Sequence, residues 1–125
     1  MQNKSHLTFG AEYDSVLEWF IKSEVKTFAE IAVDSTEWGN YHNAKNSPKK
    51  IAETGTREKW CANNIYDFAG NVGEWTQERN KSSKCVIRGG RSDSIGNHYP
   101  VACRCCFIPY DDYSYTGFRV TLYIK

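Results

Sequence analysis

The chain has 125 residues, a length that sets one domain as the prior and allows a small core. Its 16 Lys and Arg stand against 15 Asp and Glu, and this near-balance gives no electrostatic reason to expect a nucleic acid or an anionic membrane as partner. No apolar run is long enough to span a bilayer, so membrane insertion is not expected. Met1 to Gly10 has no hydrophobic stretch of signal-peptide type, which leaves virion, cytoplasm and surface display by another part as open localisations. The cysteines, at 61, 85, 103, 105 and 106, are odd in number and cannot all pair within one chain.

Residues 12 to 22 predict an amphipathic helix, with Val16, Leu17, Phe20 and Ile21 at helical spacing, Thr8 as N-cap and Glu12 at the positive end of the dipole. Residues 27 to 62 read as irregular. Gly39, Asn40, Asn43, Asn46, Ser47, Pro48 and Gly55 are loop chemistry, Lys49 and Lys50 are expected in solvent, and Trp38 and Trp60 are expected to anchor the loops to the core. Cys85 to Arg88 reads as a strand, stopped by Gly89-Gly90. Residues 118 to 124 alternate, with Phe118, Val120, Leu122 and Ile124 on one face, and predict the clearest strand of the chain. A helix early, loops in the middle and strands late predict an α+β fold.

Three segments occur in order: Asn64-Ile65-Tyr66-Asp67-Phe68-Ala69-Gly70-Asn71-Val72-Gly73-Glu74-Trp75, then Ile87-Arg88-Gly89-Gly90-Arg91-Ser92, then Thr116-Gly117-Phe118-Arg119-Val120. Together they resemble the signature of formylglycine-generating enzymes and of the wider family of C-type-lectin-fold domains related to them, over about the last half of the chain. The resemblance implies a C-type lectin-like fold: a small antiparallel sheet, long irregular loops and one or two helices. Residues 1–125 then form a single lectin-like domain, or the C-terminal portion of a larger family domain. Physical chemistry fits these segments. Gly70 and Asn71 suit a turn with positive φ, Trp75 is a large anchor for a core, and Gly89-Gly90 lets the backbone bend. Arg88 and Arg119 are expected as buried, carboxylate-paired supports.

Formylglycine-generating enzymes carry a cysteine pair shortly after the Arg-Gly-Gly motif, whose thiolates bind copper. The matching stretch here, Arg91 to Tyr99, contains no cysteine. Catalysis is therefore not expected, and a copper oxidase acting on a cysteine is kept as the alternative, beside a non-variable structural module of a phage tail or cell surface.

Composition points elsewhere. Residues 1–84 contain nine Glu, nine Lys, two Gln, one Met and four Trp, whereas residues 85–124 contain none of these five types. One shared composition would not leave such a gap to chance. The missing types are those that no codon ending in C encodes, and an AAC codon with randomised adenines yields the alphabet present. This pattern resembles the variable proteins of diversity-generating retroelements, which use the same lectin-like fold. It implies that residues 85–124 form a variable region in which scattered surface positions are diversified for binding. Val86, Arg88, Gly89, Gly90, Pro100, Arg104, Pro109, Gly117, Phe118 and Arg119 are then framework. Arg91, Asp93, Ser94, His98, Cys103, Cys105, Cys106, Tyr110, Asp111, Asp112, Tyr113, Ser114 and Tyr115 are the expected variable, ligand-facing residues, with Cys85 and Ile108 unassigned. They are expected to share one exposed surface, and truncating Tyr113 or Asp112 is expected to leave stability nearly unchanged. Residues 110–115 are rich in Tyr and Ser, as antibody paratopes are, because rigid amphipathic area costs little conformational entropy. The expected partner is a protein or glycan on a cell surface.

The sequence is open to two metal readings. Cys103, Cys105 and Cys106, with His98 near, lack the second pair of a structural zinc site, and Cys106 would point away from its neighbours on a strand. The family resemblance also implies a calcium ion on carboxylates of Asp67 and Glu74 and carbonyls of Gly70 and Val72. Calcium is the one cofactor expected as an option; none is required.

Overall fold

The computed structural model describes residues 4–110 and 112–124. Strand β1 is Lys4–Leu7, followed by helix α1, Gly10–Lys22, and the short helix α2, Phe28–Ala32. Strands β2 (Cys61–Ala62), β3 (Ile65–Tyr66), β4 (Gly73–Arg79), β5 (Cys85–Arg88), β6 (Cys105–Phe107), β7 (Thr116–Phe118) and β8 (Val120–Tyr123) follow. The main sheet has the order β6-β5-β4-β7: β4, β5 and β6 are antiparallel neighbours, and β7 runs parallel to β4. A second sheet joins β1 to β8, and a third joins β2 to β3. This is the expected α+β, C-type lectin-like architecture, with a mixed rather than wholly antiparallel main sheet.

Helix α1 starts two residues before the predicted position, and its N-cap is Phe9 rather than Thr8. The Thr8 hydroxyl donates to the carbonyl of Arg119 at 3.0 Å, and the Phe9 N–H is taken by the Glu12 carboxylate at 2.8 Å. The buried stripe is Tyr13, Leu17 and Phe20, at spacings of four and three, with Val16 packed at its margin. Ile21, expected inside, lies at the surface. Tyr13 stacks on Phe68 at 4.2 Å and donates its hydroxyl to the Phe68 carbonyl. Phe20 meets Trp38 and Phe68 edge-on. Trp38 and Trp60 are buried, as expected of loop anchors.

The long middle region is held by polar side chains as well. Gly70 and Asn71 both have positive φ, +69° and +63°, and a Cβ on Gly70 would fall 2.5 Å from the Asn40 carbonyl oxygen. Asn40 donates to the Asn71 side-chain oxygen and to the Lys50 carbonyl, and Asn71 exchanges bonds with both backbone groups of Ala52. Arg88 is fully buried, lies over the Tyr13 ring and donates to Asp14 at 2.7 Å. Arg119 grips Glu74 through Nε and Nη2 at 2.7–3.2 Å. Both arginines are the carboxylate-paired supports expected.

Two expectations fail on tertiary grounds. Residues 118–124 are not one strand: the chain leaves the main sheet after Phe118, Arg119 turns to Glu74, and β8 pairs with β1. The apolar residues Phe118, Val120, Leu122 and Ile124 are exposed. Trp75 is half-buried rather than a core anchor, because Glu74 and Thr76 take the inner face of β4 and leave Trp75 on the other.

Candidate functional site

The outer face of the main sheet is defined by register. Trp75 lies opposite Ile87, Ile87 opposite Cys105, and Cys85 opposite Phe107. Paired residues share a face, so Trp75, Ile87, Cys105 and Phe107 project together. At the end of β5, Gly89 and Gly90 have φ of +95° and +76° and swing residues 91–102 across this face.

That crossing segment is tied to the earlier part of the chain by hydrogen bonds of its backbone groups, and its end is anchored by Val101, fully buried in the core. The Ser92 N–H donates to the Asn71 carbonyl at 2.9 Å. The His42 N–H donates to the Ser94 carbonyl, and the Ser35 N–H to the Gly96 carbonyl. Gly96 N–H donates to the Asn43 side chain, Val101 N–H to the Ser35 hydroxyl, and Ala102 N–H to the Ile31 carbonyl. Each partner lies before residue 85. The side chains of Asp93 and His98 meanwhile remain exposed.

Between this segment and the sheet lies a pocket of about 260 Å³. Ile87, Ile95, Tyr99, Cys105 and Phe107 give it apolar walls, and Arg91, Asp93, Ser94 and His98 add polar groups. Arg91 Nε donates to Asp93 at 3.0 Å, and its guanidinium lies 5.9 Å from the Phe107 ring centroid. Phe107 in turn meets Tyr113 edge-on at 4.6 Å, and Tyr113 meets Trp75 at 6.2 Å. A continuous surface thus runs from Arg91 through Phe107 and Tyr113 to Trp75.

Of the expected ligand-facing residues, Arg91, Asp93, Ser94, His98 and Cys105 therefore come together around one pocket, and Tyr113 adjoins it through Phe107. Tyr110, Asp112 and Ser114 are exposed on the following loop, and Asp111 lies outside the described residues. Five residues depart from a simple exposed face. Ser94 is buried in the pocket's base. Cys106 lies opposite Val86, which faces the core, and so sits on the reverse side of β6. Tyr115 is half-buried with φ of +65°, and its carbonyl accepts the Gly73 N–H at 2.9 Å. Tyr113 is half-buried against two rings, so truncating it removes packing. Cys103 is half-buried, with its Sγ 3.8 Å from that of Cys105. Sequence reasoning missed Ile95, Tyr99 and Phe107. All three lie in the code-restricted segment, which is the signal that could have found them.

The loop at residues 67–74 does not fit calcium. Glu74 is already neutralised by three hydrogen-bond contacts from Arg119. Asp67 accepts the Gly55 N–H through one oxygen, and burial raises its pKa. Only its second oxygen is left without a partner among the described residues. A cation would have to displace the guanidinium to reach both carboxylates. Among the described residues, no three His, Cys, Asp or Glu side chains assemble for a metal.

The fold and this loop-covered, pocketed sheet face define a lectin-like domain with a solvent-facing surface carried by its last third. No protein-family model and no curated protein matches the sequence. Among solved structures, the chain is similar to Treponema denticola variable protein 1, with a TM-score of 0.67, 24% identity and 93% of this chain covered. The chain spans 46% of that protein's length. No helix of the described residues is long and apolar enough to cross a membrane.

Proposed function

We propose that this chain is a ligand-binding protein whose residues 85–124 form a surface diversified by a retroelement, and that it is not an enzyme. The observation that carries the reading is how the crossing segment is held. Its shape rests on backbone bonds to residues 31–71, so the side chains at 93 and 98 can change without changing the shape. A diversified surface needs this separation of shape from side-chain identity. The five residue types missing from residues 85–124 agree with it. The similarity to a variable protein of Treponema denticola adds a structural precedent for the fold. The ligand is a protein or glycan on a cell surface, held by the pocket and the Tyr-rich loop beside it. The oxidase alternative lacks a cysteine between Arg91 and Tyr99.

The test is a library in which codons 93, 98, 110, 112 and 114 are randomised as NNC. Most members should melt cooperatively within a few degrees of the parent, and selection on cells should yield binders with new specificities. Sequencing the flanking DNA should reveal a near-copy of the 3′ end of the gene, differing at adenines, beside a reverse transcriptase gene. A library that is mostly unfolded, or a flank without such a copy, overturns the reading.

A further inference from the structure

Cys103 and Cys105 are separated by one residue, and their Sγ atoms lie 3.8 Å apart. Both are half-buried, and Cys105 forms part of the pocket wall. Cys105 belongs to the β6 ladder opposite Ile87. Cys103 precedes the strand, in a turn closed by its N–H on the Pro100 carbonyl at 2.8 Å. One sulfur is therefore fixed by the sheet, and the other is presented to it by a turn. We propose that Cys103 and Cys105 form a thiol–disulfide exchange site for low-molecular-weight disulfides, with Cys103 attacking and Cys105 resolving.

The surroundings suit this division of roles. Cys103 is lowered to about 6, first because the Cys105 S–H points at it, against the opposing effect of burial. Arg88 and Arg104 add to the lowering; both are held in place by Asp14 and Glu78. The same thiol–thiol hydrogen bond, with burial, raises Cys105, against a smaller opposing effect from Arg91. Tyr41 and Cys106 are the other titratable groups that interact with the pair.

The chemistry balances without a metal or an external electron carrier. The Cys103 thiolate attacks one sulfur of a disulfide RSSR, whose S–S bond breaks, and RS⁻ leaves and takes a proton. Cys105 then loses its proton and attacks the Cys103 sulfur of the mixed disulfide, releasing the second RS⁻. Two protein thiols are oxidised, and one disulfide is reduced to two thiols. Two peptide units span at most about 7 Å, close to the Cα separations of about 4.4–6.8 Å that disulfides bridge, so closure needs only a small adjustment of the turn.

The full chain is treated with oxidised glutathione at pH 6.5, quenched in acid and mapped by mass spectrometry. Cys103 should acquire glutathione severalfold faster than the exposed Cys106 of the same molecules. The wild-type adduct should then give way to a Cys103–Cys105 disulfide with both glutathiones released, while Cys105→Ser stalls at the adduct. Cys103 reacting no faster than Cys106 overturns the proposal. So does a wild-type adduct that never resolves. Both decisive readings come from the unmutated protein, so a variant that fails to fold does not obscure them.

Discussion

Residues 4–84 and residues 85–124 keep their shape by different means. The first region uses side chains: Trp38, Tyr41 and Trp60 are buried, and Asn40 and Asn71 bond loops together through their amides. Residues 91–102 use backbone groups, whose partners at Ile31, Ser35, His42, Asn43 and Asn71 belong to the first region. A loop held this way is indifferent to its exposed side chains, such as Asp93 and His98, and sensitive to its buried ones, such as Val101, and to those of its neighbour. The cost of mutation should therefore fall in the first region and the change of specificity in the second.

The comparison is tested most severely at the tryptophans. Trp60→Ala should destabilise by about 3 to 5 kcal/mol, a large part of a total of about 5 to 15 kcal/mol. Trp75→Ala should cost less, about 1 to 2 kcal/mol, because Trp75 is half-buried on the outer sheet face. Denaturant melts giving the reverse order would mean that the outer face, not the interior, holds the domain together.

Asn71→Ala should cost about 2 to 3 kcal/mol, by orphaning the partners of its side chain and straining a residue at φ +63°. The sharper readout is hydrogen exchange at the Ser92 amide, which should quicken although Ser92 itself is unchanged. An unaltered exchange rate would separate the two regions more than the bonding pattern allows.

Glu12 joins the two ends of the chain. It accepts bonds from Tyr123, Thr121 and the Phe9 N–H and meets His6, and these outweigh burial to hold it at about 2. A carboxylate depressed in the folded state contributes stability above its unfolded pKa of about 4.5, and this is lost as pH falls toward 2. Wild type should melt a few degrees above Glu12→Gln at pH 6, and the gap should close by about pH 2. A gap that persists at pH 2 would mean that shape rather than charge is responsible.

Smaller still, Asp93→Ala and His98→Ala should each change stability by less than about 0.5 kcal/mol while altering binding of a selected ligand. Smallest of all, addition of calcium or of a chelator should leave the melting temperature within about 1 °C, because Arg119 already occupies Glu74. A calcium-dependent rise would show that the guanidinium yields to a cation.

Much of the framework was legible. The helical spacing around Leu17 and Phe20, the glycine turns at 70 and 89–90, and the arginines at 88 and 119 are local signals with few alternative uses. The expected site was legible through its alphabet, which marks a segment and not a direction. Hence the alphabet does not separate Cys106, on the reverse of β6, or the buried Ser94 from outward residues, and it does not single out Phe107.

By itself, then, the sequence determined the first long helix, the glycine turns, the charged supports and the segment from which five residue types are missing. Tertiary structure alone decided which side of each element is covered. Alternation along β4 separates Trp75 from Glu74 and Thr76, but only the packed core shows that Trp75 is the outer residue. Alternation through 118–124 likewise hid the break at Arg119, made by the pull of Glu74 on one side and β1 on the other. Lys4 and Tyr123 pair across nearly the whole chain. No periodicity records such a contact, because its energy comes from a partner distant in sequence and is felt only once the rest has folded.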